Sequence, residues 1–240
     1  MRTVALIPAR YAATRFPAKL MQLLGGKSVI RHTYDAVVSA GLFDEVVVVT
    51  DSSIIYDELL SHGGKAILSK KEHDSGSDRI AEAAINMDVD IIVNVQGDEP
   101  FIQKEPLKKL VALFDDPGVL VASLMRKIGA DEAKDPNLVK VVTDKYNNAL
   151  YFSRSMIPYP RNPGENVDHF LHVGVYAYRK QALLTFTKWP VSAAEHAEKL
   201  EQLRYLENGV KIKMAETGYH NIAIDTPEDL VRASLLLTKR

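Results

Sequence analysis

The chain has 240 residues, of which 46% are hydrophobic and 25% charged, and this is enough apolar sequence to bury a substantial core. Its formal net charge of −1 gives no overall field that would attract nucleic acid or an anionic membrane surface. Cysteine is absent, which excludes disulfides and thiolate metal sites, and no apolar run approaches the roughly 20 residues of a membrane span, so we expect a soluble cytoplasmic protein.

The first predicted element is a buried strand, Val4 to Ile7, which Pro8 ends. It opens into a loop that carries three cations, Arg10, Arg15 and Lys19. Ligands of open α/β sheets gather beyond the carboxyl ends of the strands, so this loop is a candidate anion site, and three cations suit a triphosphate. The alternative is a solvated turn, which is less favoured because a proline at each end stiffens the loop. Since neither a P-loop nor a GxGxxG motif is present, side chains would hold any nucleotide.

Strand and helix patterns alternate through the first half of the chain. A helix capped by Ser28 is expected to end at Gly41, and a second helix is expected at about Ser53 to Ser61. Between them lies a strand of four valines, Val46 to Val49, and a further strand follows at Asp90 to Val95. A strand that is apolar on both faces is typical of a parallel sheet covered by helices on both sides. This pattern predicts a three-layer α/β fold with a mostly parallel central sheet.

A polar segment with small residues precedes the next predicted helix, which is expected from about Asp78 to Met87. Ser75, Gly76 and Ser77 would let a planar group approach the backbone closely, and the first turn of a helix presents unpaired N–H groups. A nucleobase could therefore lie here. The alternative is an ordinary capped loop, which this segment alone favours.

Carboxylates follow two of the predicted strands. Asp98 lies in the segment NVQGDEP, directly after one strand, and Asp225 follows a predicted strand at Asn221 to Ile224, with Thr226 as helix cap and Pro227 in the first turn. Carboxylates facing a phosphate-binding loop would repel the phosphates unless a divalent cation lay between them. Mg²⁺ suits this arrangement because it binds through one or two carboxylates plus phosphate oxygens. The alternative reading of Asp98 is an acidic turn.

The second half of the chain is less regular. We find no linker, so we expect a single domain over residues 1–240, in which about 144–190 include a hairpin and a dimerisation arm. The predicted elements are hairpin strands at Val139 to Thr143 and Ala149 to Phe152, a Pro- and Gly-rich loop at Ile157 to Asn166, and an apolar strand at about His169 to Tyr178.

A capping box at Ser192 and Glu195 is expected to open a helix that runs to about Leu206. Helical spacing would place four polar side chains on one face of it. A polar face usually meets solvent, but acids and amides arranged in this way could also bind sugar hydroxyls. The four residues are Glu198, Glu201, Gln202 and Tyr205.

Eight segments together resemble the 3-deoxy-manno-octulosonate (Kdo) cytidylyltransferases, or CMP-Kdo synthetases, in the order of that family and over almost the whole chain. They are IPARYAATRFPAK, HDSGSDRIAE, NVQGDEP, KVVTD with ALYFSR, FLHVGVYAYR, LEQLR and IDTPEDL. The resemblance implies a nucleotidyltransferase fold, usually a homodimer, that transfers CMP from CTP to the anomeric hydroxyl of Kdo. It also implies magnesium as cofactor, pyrophosphate as second product, a place in lipopolysaccharide biosynthesis, and neither nucleic acid nor membrane as partner.

The resemblance also assigns residues. It implies phosphate binding by Arg10, Arg15 and Lys19, a cytidine pocket at Ser75, Ser77, Arg79 and Gln96, metal binding by Asp98 and Asp225, and sugar-acid contacts from Arg154, His172, Tyr176, Glu201 and Gln202. Two segments depart from the family pattern: Phe16-Pro17-Ala18-Lys19 stands where the family usually has Leu-Pro-Gly-Lys, and Ser75-Gly76-Ser77 stands where it has Ser-Gly-Thr. Ser77 keeps the hydroxyl, whereas alanine demands an ordinary backbone geometry, which argues against a glycine-only conformation at position 18.

Other functions remain open at this point. The closest is a cytidylyltransferase for another sugar acid, such as sialic acid or an 8-amino Kdo analogue, because the nucleotide end would be shared. A nucleotidyltransferase for a sugar phosphate is disfavoured by the sugar-side motifs. A non-catalytic nucleotide-binding relative is the alternative from another class, and the presence of both aspartates disfavours it.

Overall fold

The computed structural model describes residues 1–12, 16–73, 75–162, 167–220 and 222–237. In these ranges, no helix is both long enough and apolar enough to cross a membrane. The strands are β1 (Thr3–Ala9), β2 (Leu23–Leu24), β3 (Lys27–Ser28), β4 (Glu45–Thr50), β5 (Ala66–Leu68), β6 (Ile91–Asn94), β7 (Val121–Ile128), β8 (Lys140–Thr143), β9 (Ala149–Ser153), β10 (His169–Arg179) and β11 (Ile212–Glu216). The α-helices are α1 (Val29–Ala40), α2 (Ser53–Ser61), α3 (Gly76–Ala84), α4 (Lys104–Ala112), α5 (Ala130–Ala133), α6 (Lys180–Phe186), α7 (Ala193–Glu198), α8 (Leu203–Glu207) and α9 (Pro227–Leu237).

The chain forms two compact units. The first unit comprises Met1–Leu107 together with Asn221–Arg240, and the second comprises Lys108–His220. The single domain that we expect from the sequence stays a prediction, because a division by compactness does not test whether the two units fold separately.

In the first unit, four strands pair in parallel in the order β6, β1, β4, β5. All seven residues of β1 are buried, as expected of a central strand with both faces covered. Ala9 lies opposite Thr50, and Thr50 lies opposite Leu68, so these strands end together. The loops that leave the strands therefore share one edge of the sheet, which is where ligands of open α/β sheets bind.

The first two helices have the predicted bounds. α1 lies between Ser28 and Gly41, whose φ of 62° ends the helix in the left-handed region. Its apolar side chains Val29, Ile30 and Val37 are fully buried, so this helix is held by packing of one face. α2 covers the predicted residues, 53–61.

In the second unit, the strand order is β11, β7, β10, β8, β9, with β11 and β7 parallel and the other pairs antiparallel. β8 and β9 form the predicted hairpin, in which Asp144 accepts hydrogen bonds from the backbone of Tyr146 and Asn148 and Asn147 has a φ of 59°. β11 was not predicted. The predicted α/β fold class with a mostly parallel sheet is confirmed, and the antiparallel pairs belong to this unit.

Candidate functional site

The cationic loop begins immediately beyond β1. Arg10 follows the last residue of that strand, and its side chain is exposed. Arg15 lies outside the described residues, so its role stays a prediction. Lys19 opens a short 3₁₀ turn, Lys19–Met21, in which the Met21 N–H donates to the Ala18 carbonyl at 2.8 Å.

Ala18 adopts the conformation that its side chain disfavours. Its φ of 51° and ψ of 31° are left-handed, so the argument from sequence against a glycine-like geometry was wrong. The left-handed conformation costs a non-glycine residue about 1–2 kcal/mol. The hydrogen bonds of the turn, from Met21 to Ala18 and from Lys19 to the Phe16 carbonyl, hold the backbone there against that cost.

The turn places the Lys19 ammonium beside both carboxylates that are predicted to bind metal. Its Nζ lies 2.5 Å from Asp98 Oδ2 and 2.9 Å from Asp225 Oδ1. Burial lowers the pKa of Lys19, but the charges and hydrogen bonds of the two aspartates outweigh that effect and raise its pKa above the ordinary value. The three side chains therefore form one charged cluster, called here the Lys19 cluster.

Asp98 is positioned by the tight turn that follows β6. A Cβ on Gly97 would lie 3.1 Å from both Ile30 Cδ1 and the Pro8 carbonyl oxygen, so a larger residue would crowd the backbone that leaves β1. The hydroxyl of Thr33 donates to the Gly97 carbonyl at 2.8 Å and anchors the turn on α1. These contacts explain why the aspartate in the NVQGDEP segment is preceded by glycine.

Asp225 is positioned by the start of α9. The predicted strand before it is absent from residues 222–224, where the Ile224 N–H donates to the Asp98 carbonyl at 3.0 Å without a ladder. The predicted cap is present, because Thr226 Oγ1 accepts from the Asp229 N–H, and Asp229 in turn accepts from the Asp225 N–H. This backbone hydrogen bond and the Thr226 cap therefore position Asp225, in place of the predicted strand.

The donor set of the Lys19 cluster fits magnesium. Oxygen atoms from Asp98 and Asp225 converge on one cation-sized position, which Lys19 Nζ occupies. The described residues contain no group of three or more His, Asp or Glu side chains that could hold a metal. Two carboxylates without a protein cage are what Mg²⁺ uses when substrate phosphates and water supply its other ligands.

The residues predicted to form the cytidine pocket lie in the first unit, and their side chains differ in their hydrogen-bond partners and exposure. Ser75 is the N-cap of α3, and its Oγ accepts from the Asp78 N–H at 3.1 Å, so this helix begins two residues before the predicted start. Ser77 lies in the first turn and is partly exposed. Gln96 Nε2 lies 3.4 Å from Asn94 Oδ1, beyond β6.

Arg79 is committed to an internal ion pair. It is 3% exposed, and its Nη2 donates to Asp51 Oδ2 at 2.6 Å while Nη1 reaches Ser69 Oγ at 3.3 Å. Asp51 and Ser69 follow β4 and β5, so this arginine joins two strand ends and α3. The sequence analysis did not assign Asp51 to the site. Its position directly after a strand of four valines would have indicated that it lies at the same edge of the sheet.

In the second unit, Arg154 is fixed by the backbone around it. Its Nε donates to the Glu198 carbonyl at 2.9 Å, its Nη1 donates to the Pro136 carbonyl, and its own N–H donates to the Glu198 carboxylate. Ser153 donates to the same carboxylate at 2.6 Å. Lys140, fully buried, donates to the Arg154 carbonyl at 2.5 Å and to two further carbonyls nearby.

His172 and Tyr176 lie on one face of β10 with their ring centroids 5.2 Å apart. Burial lowers the pKa of His172 to about 3, so the imidazole is neutral. Burial, with the nearby Tyr178 and Glu201, raises the pKa of Tyr176 well above its ordinary value, so the phenol keeps its proton. This pair presents neutral hydrogen-bonding groups and a ring face, which suits a hydroxylated ligand.

The single helix predicted from Ser192 to Leu206 is wrong. Half of the predicted capping box opens α7, because Glu195 accepts from the Ser192 N–H at 3.1 Å while the Ser192 hydroxyl makes no cap hydrogen bond. Lys199, with a φ of 56°, then ends this helix in a left-handed cap, and α8 starts only at Leu203. The break is held by packing, because Leu200 is 6% exposed and a buried ion pair joins Glu195 to Arg204 across it. Glu201 and Gln202 lie in the connection between α7 and α8, so they do not share a helical face with Glu198.

The chain matches the cytidylyltransferase family model over residues 4–212. Proteins named 3-deoxy-manno-octulosonate cytidylyltransferase from Flavobacterium johnsoniae and Christiangramia forsetii are 61% and 55% identical to it, over 99% of this chain and 99% and 97% of theirs. A solved structure of CMP:2-keto-3-deoxy-manno-octonic acid synthetase complexed with CTP matches with a TM-score of 0.96 and 39% identity, over 100% of this chain and 99% of that one. The 4-diphosphocytidyl-2C-methyl-D-erythritol synthase of Anaerococcus prevotii, with a TM-score of 0.66 and 18% identity over 99% and 98%, shares the fold alone.

Proposed function

The chain belongs to the 3-deoxy-manno-octulosonate cytidylyltransferases, and from that premise we propose that it transfers CMP from CTP to the anomeric hydroxyl of Kdo. The products are CMP-Kdo and pyrophosphate, and the activated sugar serves lipopolysaccharide assembly in the cytoplasm. The observation that carries the proposal is the Lys19 cluster, in which a cation and two carboxylates from distant parts of the chain meet at hydrogen-bonding distance.

The reaction needs one bond made and one broken at the α-phosphorus. The anomeric oxygen of the sugar bonds to this phosphorus in line with the leaving group, the bond from the phosphorus to the β-phosphate bridging oxygen breaks, and the hydroxyl proton leaves to solvent. The chain supplies positioning and charge stabilisation more than covalent chemistry, as in phosphoryl transfer generally. Arg10 and Lys19 neutralise the negative charge that develops on pyrophosphate, with Arg15 expected to share this role.

Asp98 and Asp225 are the residues that would hold magnesium. When bound, the metal supplies charge stabilisation at the phosphate oxygens and lowers the pKa of a hydroxyl bound to it. Lys19 now occupies the position between the carboxylates, so we assign it two partners: the aspartates before the nucleotide binds and a phosphate oxygen afterwards. Its long flexible stem allows this exchange.

The nucleotide base and the sugar acid are assigned to separate sets of residues. In the first unit, Ser75, Ser77 and Gln96 are the cytidine contacts, and Arg79 acts through its ion pair with Asp51 to hold two strand ends in place. In the second unit, the sugar acid is assigned to neutral and charged groups together, so that hydroxyls and a carboxylate both find partners. These residues are Arg154, His172, Tyr176, Glu201 and Gln202.

We also propose that the enzyme is a homodimer. The β8–β9 hairpin and the segment after it expose large apolar side chains: Tyr146 is 63% exposed, Leu150 61% and Tyr159 82%. Side chains of this size are enriched at protein interfaces. A second copy of the chain is the partner that the family implies, and light scattering on the purified protein tests it.

The test of the function is magnesium-dependent pyrophosphate release from CTP and Kdo, run with EDTA as a control. Parallel reactions replace Kdo with sialic acid or with the 8-amino analogue of Kdo, and replace CTP with ATP, GTP or UTP. Release with CTP and Kdo alone supports the proposal. Release with only another sugar acid would overturn the assignment of Kdo as substrate and leave the assignment of the nucleotide site unchanged. No release with any pair would leave a non-catalytic nucleotide-binding protein.

A further inference from the structure

Ser123 lies at the centre of a hydrogen-bonded group on the face of β10. This residue of β7 is fully buried. Its Oγ lies 3.0 Å from His172 Nε2, 2.9 Å from the Val175 carbonyl oxygen and 3.3 Å from the Val173 carbonyl oxygen. One hydroxyl therefore meets the His172 imidazole and the Tyr176 phenol, both assigned to the sugar acid, and two backbone carbonyls of the same strand.

The contacts depend on a bulge in β10. Val173 pairs with Leu124 and Tyr176 pairs with Ser123, so β10 advances three residues while β7 advances one. Two extra residues interrupt the ladder, and the carbonyls of Val173 and Val175 lie at this interruption within reach of the Ser123 hydroxyl. The bulge also places Tyr176, rather than residue 174, opposite Ser123, on the same face as His172.

The proton positions in this group follow from counting donors. A carbonyl oxygen only accepts, whereas the Tyr176 phenol that also hydrogen-bonds Ser123 can donate, so we assign the Ser123 hydroxyl proton to Val175, with Val173 as a weaker second acceptor. The Ser123 oxygen is then an acceptor towards His172, and the hydrogen bond between them needs a proton on His172 Nε2. If the Ser123 proton pointed at His172 instead, the lone pairs of the Ser123 oxygen would face two carbonyl oxygens with no proton between them.

A proton on Nε2 fixes the other nitrogen as well. A neutral imidazole carries one proton, so Nδ1 of His172 presents a lone pair. Within the described residues the only hydrogen bond of the His172 ring is the one on Nε2, and the residue is partly exposed, so Nδ1 is available to a ligand. Phe152, edge-on at 5.1 Å, and Tyr176 hold the ring from two sides.

We propose that Ser123 is a positioning residue that holds His172 in the tautomer protonated on Nε2, so that Nδ1 accepts a hydrogen bond from a hydroxyl of the substrate. The proposal deepens the proposed function and rests on its assignment of His172 to the sugar acid. Ser123 itself does not contact the substrate. A hydroxyl at position 123 is thus part of the sugar specificity, because an analogue without the matching hydroxyl would leave Nδ1 unpaired.

The test compares Ser123→Ala, which removes the hydroxyl, with Ser123→Thr, which keeps it. Ser28→Ala is the matched control, because Ser28 is 1% exposed and also donates to a side chain, Glu58, at 2.8 Å. The first readout is the ¹⁵N spectrum of the histidine rings, with His172→Gln assigning the signal. We expect one tautomer in wild type and Ser123→Thr, and a mixture in Ser123→Ala. The second readout is steady-state kinetics, in which Ser123→Ala should raise KM for Kdo about tenfold and leave KM for CTP unchanged.

The outcomes separate this proposal from the proposed function. An unchanged ¹⁵N pattern in Ser123→Ala would overturn the positioning role whatever the enzyme does. A changed pattern with an unchanged KM for Kdo, in a wild-type enzyme that is active with Kdo, would overturn the link to the substrate. An inactive wild type would instead overturn the proposed function, while the spectra would still decide whether Ser123 sets the tautomer. Circular dichroism and thermal melts confirm that each variant is folded.

Discussion

Lys19 and Asp98 are 79 positions apart in the chain, yet the Lys19 ammonium and the Asp98 carboxylate are joined by a hydrogen bond of 2.5 Å. Lys19 was expected to bind phosphate and Asp98 to bind metal, so the two assignments meet in one ion pair. The pair is mostly buried, with side-chain exposures of 17% and 19%. A charge removed from one partner would leave the other poorly compensated.

Replacing Asp98 with Asn should therefore affect both stability and turnover. Loss of the negative charge removes the principal partner of Lys19, for which we expect a cost of about 1–3 kcal/mol in the free energy of unfolding. It also removes one expected magnesium ligand, for which we expect several kcal/mol in the barrier. Asp35→Asn is the matched control, because Asp35 pairs with Lys27 at 2.7 Å on the surface. Urea unfolding and a magnesium titration of turnover measure the two effects, and wild-type behaviour in Asp98→Asn would contradict both.

Replacing Ala18 with Gly should stabilise the protein by about 0.5–1 kcal/mol. Glycine adopts a φ of 51° without the steric cost that this conformation has for alanine. The larger conformational entropy of glycine in the unfolded chain offsets part of the resulting stabilisation. Thermal and urea unfolding measure the difference. Ala81→Gly, in the middle of α3, is the control and should destabilise, because its backbone is helical. Destabilisation by Ala18→Gly would show that the turn favours alanine for another reason.

Replacing Arg204 with Met should cost about 3–5 kcal/mol. Arg204 binds both carboxylate oxygens of Glu195, at 2.5 and 2.7 Å, and the two side chains are 9% and 8% exposed. Without the guanidinium, Glu195 is a buried unpaired charge. Lys134→Met breaks the exposed pair with Asp131 and should leave stability nearly unchanged, because solvent screens that pair. Equal effects of the two variants in urea unfolding would argue against the role of the buried pair in joining α7 to α8.

Stability should fall below neutral pH because of His172. Its pKa is lowered to about 3 in the folded protein, so between the ordinary value and about 3 the unfolded chain binds a proton that the folded chain does not. The contribution of the neutral His172 imidazole to the free energy of unfolding is complete above pH 6.5 and is lost as the pH falls towards 3. Between pH 7.5 and 5.5, wild type should lose about 1 kcal/mol more than His172→Gln, which cannot titrate. Parallel losses in urea unfolding of the two proteins would contradict the lowered pKa.

Local patterns predicted the elements whose signals lie within a few residues. The glycine that ends α1, the valines of β4 and the asparagines of the β8–β9 turn are found where the sequence placed them. Ser28 stands at the N-cap position of α1, but its hydroxyl donates to Glu58 and makes no cap hydrogen bond. Parallel pairing of the buried strands followed from their apolarity on both faces. These are features that a short window of sequence contains.

The departures come from long-range contacts. Polar spacing favoured one helix after Ser192, but burial of Leu200 and the Glu195–Arg204 pair stabilises a break at Lys199. Ala18 takes a geometry that its own propensity opposes, because the turn that presents Lys19 requires it. The identity of the site residues came from resemblance to a family, and the ion pairs that join Lys19 to Asp98 and Arg79 to Asp51 span too many residues for spacing to reveal them.

The first unit is assembled from two segments of the chain, and this bears on its synthesis. A ribosome delivers Met1–Leu107 first, then the whole of the second unit, and only afterwards the segment that contains Asp225. Until that segment emerges, Lys19 has one of its two carboxylates, and the Asp98 carbonyl lacks the N–H of Ile224. Completion of the Lys19 cluster therefore waits for the segment that contains Asp225, and a nascent chain arrested before residue 221 would carry Lys19 and Asp98 without the second carboxylate.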